Sequence, residues 1–112
     1  MLSFQRLDVY QRAIELLALA SEVIEDLPRG NADRADQLIR AAESVVRNIA
    51  EGAGRWSHQD SAKHYKIARG EAMECAASLD VMRLRGLIGP DRYERGIELL
   101  EGIVGMLTKM TR

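Results

Sequence analysis

Residues 38–54 read LIRAAESVVRNIAEGAG, and this stretch decides the fold class. Plotted at about 100° per residue, its apolar side chains fall within an arc of roughly 140°. They are Leu38, Ile39, Ala42, Val45, Val46, Ile49 and Ala50. An arc of that width is typical of an amphipathic helix with one face in a core. We read the glycines at its end as a C-cap, so the helix is expected to stop there.

The same helical spacing recurs in three other segments, and residues that break helices separate them. The breaks are Pro28-Arg29-Gly30-Asn31, Gly52-Ala53-Gly54 and Gly89-Pro90. No segment alternates with the period of two that is typical of strands. We predict one domain, residues 1–112, with helices at about 7–26, 33–52, 58–86 and 90–110. Because short connections favour antiparallel neighbours, the predicted fold class is an all-α, antiparallel up-down-up-down four-helix bundle.

Polar residues mark the predicted helix starts. Asn31 or Asp33 is expected to cap the second helix, and Ser57 or Ser61 the third. Pro90 suits the first position of the fourth helix, where its missing N–H costs nothing.

Composition excludes several protein classes. Hydrophobic residues make up 46% of the chain and charged residues 29%, with a net charge of -1, which is typical of a soluble globular domain. No apolar run is long enough to span a bilayer, and no secretory signal is visible. The single cysteine, Cys75, predicts no internal disulfide and a cytoplasmic location. A net charge close to zero argues against strong, unspecific binding to nucleic acid.

The first and fourth helices each carry a second apolar stripe that a lone bundle would leave in water. On the first helix one face carries Leu7, Tyr10, Ile14, Leu17 and Ile24, and the adjoining face carries Val9, Leu16, Ala20, Val23 and Leu27. On the fourth helix the second stripe is Leu99, Ile103, Met106 and Met110. Exposed apolar surface usually marks an interaction site, so we predict self-association into a homo-oligomer or contact with a partner helix. The alternative is a single bundle whose helices share this surface internally.

Polar residues along the second helix are candidates for an interface or for structural hydrogen bonds, since such residues suit a helix interior poorly without partners. Asn48 is the candidate for a buried amide that fixes helix register. Glu51 is expected to pair with Arg55 or to reach Arg69. Three intrahelical pairs are also predicted: Asp36–Arg40, Glu43–Arg47 and Glu51–Arg55. The full set of interface or structural polar candidates is Gln37, Arg40, Ser44, Asn48, Glu51 and Glu74.

Basic residues gather modestly around the connection between the second and third helices. The nucleic-acid-binding candidates are Arg47, Arg55, Trp56, Lys63, Lys66 and Arg69. Trp56 offers a surface on which a base could stack while phosphates meet the cations. Two alternatives to nucleic-acid binding are open. The charged residues are only solvated, and Trp56 caps the end of the bundle.

Neither a catalytic nor a metal site is predicted. A di-iron bundle needs two Glu-x-x-His motifs, whereas the only histidines, His58 and His64, do not follow a glutamate at that spacing. Cys75 lies among alanines in an expected core stripe and is expected to be inert. No cofactor and no small-molecule substrate are therefore expected.

Three motifs carry a resemblance to a known family. They are Leu7-Asp8-Val9-Tyr10-Gln11, the Asn48-Ile49-Ala50-Glu51-Gly52 tract with Gly54-Arg55 after it, and Ala68-Arg69-Gly70 with Glu74 four residues on. Together they resemble the "four helix bundle protein" family, also called the 23S rRNA intervening-sequence protein family, from about residue 4 to residue 107. The family usually has serine after Ala-Arg-Gly, where this chain has Glu71.

The resemblance implies a cytosolic bacterial bundle that forms homo-oligomers, and pentamers are known among relatives. It implies neither enzymatic activity nor a cofactor. Some members are encoded inside insertions in the 23S rRNA gene. Accessory proteins of diversity-generating retroelements look like this family and bind nucleic acid and a reverse transcriptase. We therefore expect a non-enzymatic, pentameric protein that binds RNA or a nucleoprotein partner. The alternative is a protein–protein scaffold that never contacts nucleic acid.

Overall fold

A computed structural model describes all 112 residues and contains four α-helices and no strand, which confirms the predicted all-α class. A short 3₁₀ turn at Ser3–Arg6 comes first. It is followed by α1 (Asp8–Glu25), α2 (Ala32–Ala53), α3 (His58–Leu84) and α4 (Pro90–Met110). Each helix packs against the next one along the chain, and α1 packs against α4 around one core. None of the helices has the length and apolar character needed to cross a membrane.

The helix starts agree with the sequence only in part. Ser57 is the N-cap of α3, and its hydroxyl accepts a hydrogen bond from the Asp60 N–H at 3.1 Å. Asn31 is the N-cap residue of α2, one of the two predicted positions, but its side chain accepts no backbone N–H, so the expected capping hydrogen bond is not formed. Its amide instead donates to the Pro28 carbonyl at 2.9 Å, and its Oδ1 accepts from Arg34. The Asn31 oxygen therefore stabilises a side chain rather than an orphan backbone N–H.

The end of α3 is determined by Gly86, ahead of the predicted Gly89-Pro90 break. Gly86 has φ +70°, a left-handed conformation that glycine adopts without steric cost. The Leu87 N–H donates to the Met82 carbonyl at 2.8 Å, and the Gly86 N–H donates to Arg83 at 3.1 Å. These two bonds form a Schellman motif, which satisfies carbonyls that would otherwise lack a partner.

Small side chains bring α2 and α3 close together. Ala41 and Ala42 on α2, and Ala68, Ala72 and Cys75 on α3, are almost completely buried. With so little side-chain volume between them, the two helices approach closely along most of their length. The larger core residues fill the space toward α1 and α4, including Leu16, Leu79, Ile103 and Leu107.

The second apolar stripes predicted for the first and fourth helices are not left in water. On α1 the adjoining face is buried at Val9, Leu16, Ala20 and Val23, and Tyr10 and Leu17 of the other face are half-buried against the core. On α4 Leu99 and Ile103 are buried, and Met106 and Met110 are half-buried. Ile14, 41% exposed, is the exception. The prediction of surplus surface on these helices is wrong because each lies between two neighbours, so both of its apolar faces find a packing partner.

Candidate functional site

An open groove lies between α2 and α3 and has a volume of about 950 Å³. On the α2 side it is lined by Asp33, Arg34, Gln37, Arg40, Ala41, Ser44 and Arg47. On the α3 side it is lined by Glu71, Glu74, Ala77, Ser78, Val81 and Met82. The structure thus brings together four of the polar residues selected from the sequence, namely Gln37, Arg40, Ser44 and Glu74.

The arginines of the groove are only weakly held within the chain. Arg40 is exposed and forms no hydrogen bond or ion pair, so the predicted Asp36–Arg40 pair is not formed. Arg47 lies 3.9 Å from Glu43, the limit of an ion pair, and both side chains are largely exposed. An exposed pair of this kind contributes about 0–1 kcal/mol at most. Both guanidinium groups are consequently available to a ligand.

The opposite side of the groove holds two neighbouring carboxylates. Glu71 and Glu74 are one helical turn apart, and burial, a hydrogen bond with Glu74 and the Glu74 charge all raise the pKa of Glu71. Glu71 occupies the position where the resemblance leads one to expect serine. The residue therefore adds negative charge to a wall that a serine would leave neutral.

The outer face of α3 carries the exposed apolar surface that the sequence analysis placed elsewhere. We call Gly70, Met73, Ala77, Val81 and Leu84 the α3 stripe. All five are exposed: Met73 and Val81 by 45%, and Leu84 by 87%. Their spacing of three or four residues places them along one side of the helix. Ala77 and Val81 also line the groove, so the stripe and the groove form one continuous surface.

A polar network joins α2 to α3 at the end of the bundle away from Gly86. The Asn48 amide donates to the Ser44 carbonyl at 2.9 Å and to its hydroxyl at 3.1 Å. His64 Nδ1 lies 3.4 Å from Asn48 Oδ1 and 3.2 Å from Glu51 Oε2. Both of these oxygens are acceptors, so Nδ1 must carry the proton that it shares with them. Asn48 thus bonds within its helix and across to α3.

The sequence is compatible with two partners for Glu51, namely Arg55 and Arg69. Glu51 lies 3.5 Å from Arg55, and its partner on α3 is His64. The Arg69 guanidinium instead donates to the Thr108 hydroxyl of α4 at 2.8 Å. No signal in the sequence indicated that His64 turns toward α2 and Arg69 toward α4.

Several residues of the predicted basic cluster have partners within the chain. Lys63 lies 3.9 Å from Asp60, Arg55 is paired with Glu51, and Arg69 faces α4. Lys66 is exposed and unpaired. Trp56 is fully exposed, so the prediction that it caps the end of the bundle is wrong. Trp56 lies in the connection between α2 and α3, and its side chain points into solvent instead of packing on the core.

Side chains that could bind a metal or act as a nucleophile do not lie together in one enclosed site. No cluster of three or more histidine, cysteine or acidic side chains is arranged to hold a metal ion. Cys75 is completely buried, and burial, with smaller effects from Glu71 and Glu74, raises the pKa of its thiol to about 12. A thiol of this kind stays protonated and is a poor nucleophile.

Comparison with known proteins identifies the family of this chain and a solved structure of similar fold. The family model described as 23S rRNA-intervening sequence protein matches residues 5–109. The chain is similar to the crystal structure of a protein with unknown function from the S23 ribosomal protein family of Bacteroides thetaiotaomicron. Identity is 21% and the TM-score is 0.85, over 93% of this chain and 98% of that one. At this identity the likeness establishes the fold alone. No curated protein matches the chain.

Proposed function

The chain belongs to the 23S rRNA-intervening sequence protein family, and from that premise we propose that it is a non-enzymatic protein that acts as a homo-oligomer. The α3 stripe is the observation that carries the proposal. A bundle rarely leaves a row of apolar side chains such as Met73, Ala77, Val81 and Leu84 in water, and such a row usually marks a contact. The resemblance to pentameric relatives favours five copies, and the single cysteine favours the cytoplasm.

Contacts between helix ends support the antiparallel up-down-up-down order that the proposed assembly uses. Tyr93, near the start of α4, donates to Asp80 near the end of α3 at 2.5 Å. Arg92 donates to Asp26, directly after α1, also at 2.5 Å. Gly52 at the end of α2 faces Tyr65 near the start of α3. In each case the end of one helix meets the beginning of another.

The non-enzymatic part of the proposal is supported by the distribution of ionisable groups. An active site usually gathers acids, bases or nucleophiles of shifted pKa in one cleft. Here the shifted groups are distributed between the core, the groove and the exposed start of α4: Tyr65, Glu71, Cys75, Arg92 and Tyr93.

Light scattering or sedimentation at micromolar concentration tests the assembly. We expect a mass several times the 12.5 kDa of one chain. The Val81→Glu/Leu84→Glu variant should run as a single chain, because burying a carboxylate in an apolar contact is costly. The matched control is Ile14→Glu, which also places a carboxylate at an exposed apolar position but lies outside the α3 stripe. A wild-type chain that stays single at micromolar concentration contradicts the proposal.

RNA binding is the second candidate function, and the exposed Trp56 is the observation that favours it. An aromatic ring in water beside Arg55, with Lys63 and Lys66 nearby in the sequence, suits base stacking combined with phosphate contacts. In an oligomer each copy would repeat this weak site, which raises the overall affinity. The pairing of Arg55 and Lys63 with carboxylates lowers the charge available and makes this the weaker proposal.

A mixed-sequence single-stranded RNA oligonucleotide tests the second candidate. Binding should weaken steeply as salt rises, because cations that contact phosphates release counterions. Trp56→Ala and the Arg55→Glu/Lys63→Glu/Lys66→Glu variant should both bind more weakly, whereas Arg6→Glu/Arg85→Glu is the control at exposed sites elsewhere. Unchanged RNA binding by the charge-reversed variant excludes this site. An intact oligomer that binds no RNA favours the scaffold alternative.

A further inference from the structure

The net charge of -1 is unevenly distributed along the bundle. Residues 47–66 cover the end of α2, the connection and the start of α3, and residues 104–112 cover the end of α4. Together these segments carry a net charge of +4, so the other residues carry -5. The six basic side chains are Arg47, Arg55, Lys63, Lys66, Lys109 and Arg112, and the two acidic ones are Glu51 and Asp60.

Two contacts between α3 and α4 place these segments at the same end of the bundle. His58 Nε2 lies 2.5 Å from the Arg112 carbonyl oxygen, and the Arg69 guanidinium donates to Thr108, the residue before Lys109. The connection that holds Trp56 ends where α3 begins, at His58. Trp56 and the six basic residues therefore belong to one end of the molecule, which we call the basic end.

The cations of the basic end are accessible. Lys66 and Lys109 are exposed, and neither forms a hydrogen bond or an ion pair within the chain. The ion pairs of Lys63 with Asp60 at 3.9 Å, and of Arg55 with Glu51 at 3.5 Å, are long and join exposed side chains. Exposed pairs of this kind are weak, so a polyanion can compete with the two carboxylates.

Trp56 gives the basic end an aromatic surface that nothing in the chain covers. It is the only tryptophan, its side chain is fully exposed, and no other ring and no cation of the chain packs on it. A nucleic-acid base can stack on such a ring when it is free of its own neighbours, as bases in single strands are. Bases inside a duplex are already stacked and paired, so they cannot reach it.

We propose that the basic end binds single-stranded RNA in preference to duplex RNA, with an unpaired base stacked on Trp56 and phosphates bound by Lys66 of α3 and Lys109 of α4. The inference rests on the second candidate function, RNA binding. It adds to that function a contribution from α4 and a requirement for unpaired bases. Charge alone would give the opposite preference, because a duplex has the higher density of phosphates.

The basic end is distinct from the α3 stripe, although both lie on the same side of α3. Lys63 and Lys66 continue the spacing of three and four residues from Gly70 toward the start of the helix. Met73, the first apolar side chain of the stripe, is about 22 Å along the helix axis from His58. Contact between copies through the stripe therefore leaves Trp56 accessible to RNA.

The fluorescence of Trp56 tests the stacking directly, because no other tryptophan contributes to the signal. The probes are a mixed-sequence single-stranded RNA of about 20 nucleotides, long enough for one such site, and the same RNA annealed to its complement. At low salt the single strand should quench the fluorescence and bind about tenfold or more tightly than the duplex. The duplex should leave the fluorescence nearly unchanged.

Substitutions separate the contribution of the ring from that of the cations, with anisotropy of labelled RNA as the readout. Lys66→Glu/Lys109→Glu should weaken binding of the single strand about tenfold or more at low salt. The matched control is Arg29→Glu/Arg85→Glu, which reverses two exposed, unpaired cations at the opposite end and should bind normally. Trp56→Ala should lose the preference for single strands, whereas Trp56→Phe should keep it because phenylalanine also stacks.

The outcomes distinguish this inference from RNA binding in general. If RNA binds but the duplex binds as tightly as the single strand, or if saturating single strand leaves Trp56 fluorescence unchanged, the inference is wrong and the second candidate function stands. It is also wrong if the control variant weakens as much as Lys66→Glu/Lys109→Glu. A folded chain that binds no RNA at low salt rejects both. If its fluorescence then shifts to the blue with phosphatidylserine vesicles, the basic end contacts lipid instead.

Discussion

Gly52 of α2 lies directly against the ring of Tyr65 on α3. A Cβ built on Gly52 would be 2.5 Å from Cε1 of that ring and 2.8 Å from Cδ1, well inside van der Waals contact. Tyr65 is buried, so its ring cannot move into solvent without leaving the core. The glycine thus allows α2 and α3 to come close at the end of the bundle that carries the Asn48–His64–Glu51 network.

Replacement of Gly52 by alanine should destabilise the fold. Alanine favours the helix by about 1 kcal/mol, but overpacking against a buried ring costs about 1–3 kcal/mol, so we expect a net loss of up to about 2 kcal/mol. Urea unfolding followed by circular dichroism measures it. Gly105→Ala on α4 is the matched control, because nothing lies within 4 Å of its Cβ position. That variant should gain about 0.5–1 kcal/mol. If Gly52→Ala increases the free energy of unfolding, the Tyr65 ring moves aside at little cost and the prediction is wrong.

Replacement of Asn48 by alanine should cost about 0.5–1.5 kcal/mol, the usual value of an intramolecular hydrogen bond. The change removes the bonds to Ser44 and leaves His64 with Glu51 alone. Thermal or urea unfolding gives the value. Gln37→Ala on the same flank of α2, whose side chain forms no hydrogen bond within the chain, should change stability far less. Equal effects for the two variants would argue against a structural role for the network.

Replacement of Glu71 by serine should raise stability at pH 7 more than at pH 4. The pKa of Glu71 is raised above its ordinary 4.5 by burial and by Glu74, so the folded state favours the protonated form. That contribution to stability is present below pH 4.5 and is lost as the pH rises and the carboxyl ionises. Urea midpoints at the two pH values measure the difference, with Asp36→Ser as an exposed control on α2. A gain that is the same at both pH values contradicts the electrostatic explanation.

Cys75 should resist thiol reagents in the folded protein. Burial raises its pKa to about 12, so the thiolate that reacts is almost absent at pH 8. Labelling with a disulfide reagent should be slow in buffer and fast in urea, where the pKa returns toward 9.0. Prompt labelling of a chain shown to be folded would place the thiol near the surface. Since the folded pKa lies above the unfolded one, the burial of Cys75 also predicts a loss of stability as the pH rises above 9.0.

The sequence by itself determined the local structure of this protein. The 100° periodicity placed Leu38, Val45 and Ile49 on one face, and all three are completely buried. Ser57, one of two candidate caps with Ser61, is the N-cap of α3, and Cys75 is a core residue, as their immediate neighbours predict. Each of these predictions concerns residues within one or two turns of one another, where the geometry of a single helix fixes which side chains share a face.

Only the tertiary structure decided how each helix is rotated against its neighbours. That rotation buried both apolar faces of α1 and α4, turned His64 toward Glu51 and Arg69 toward Thr108, and left Val81 and Leu84 in water. The periodicity of one helix fixes the angles between its own side chains but not which of them face another helix. Complementary packing between residues distant in sequence fixes that choice, and here the close approach of α2 and α3 at Gly52 and Tyr65 is part of it.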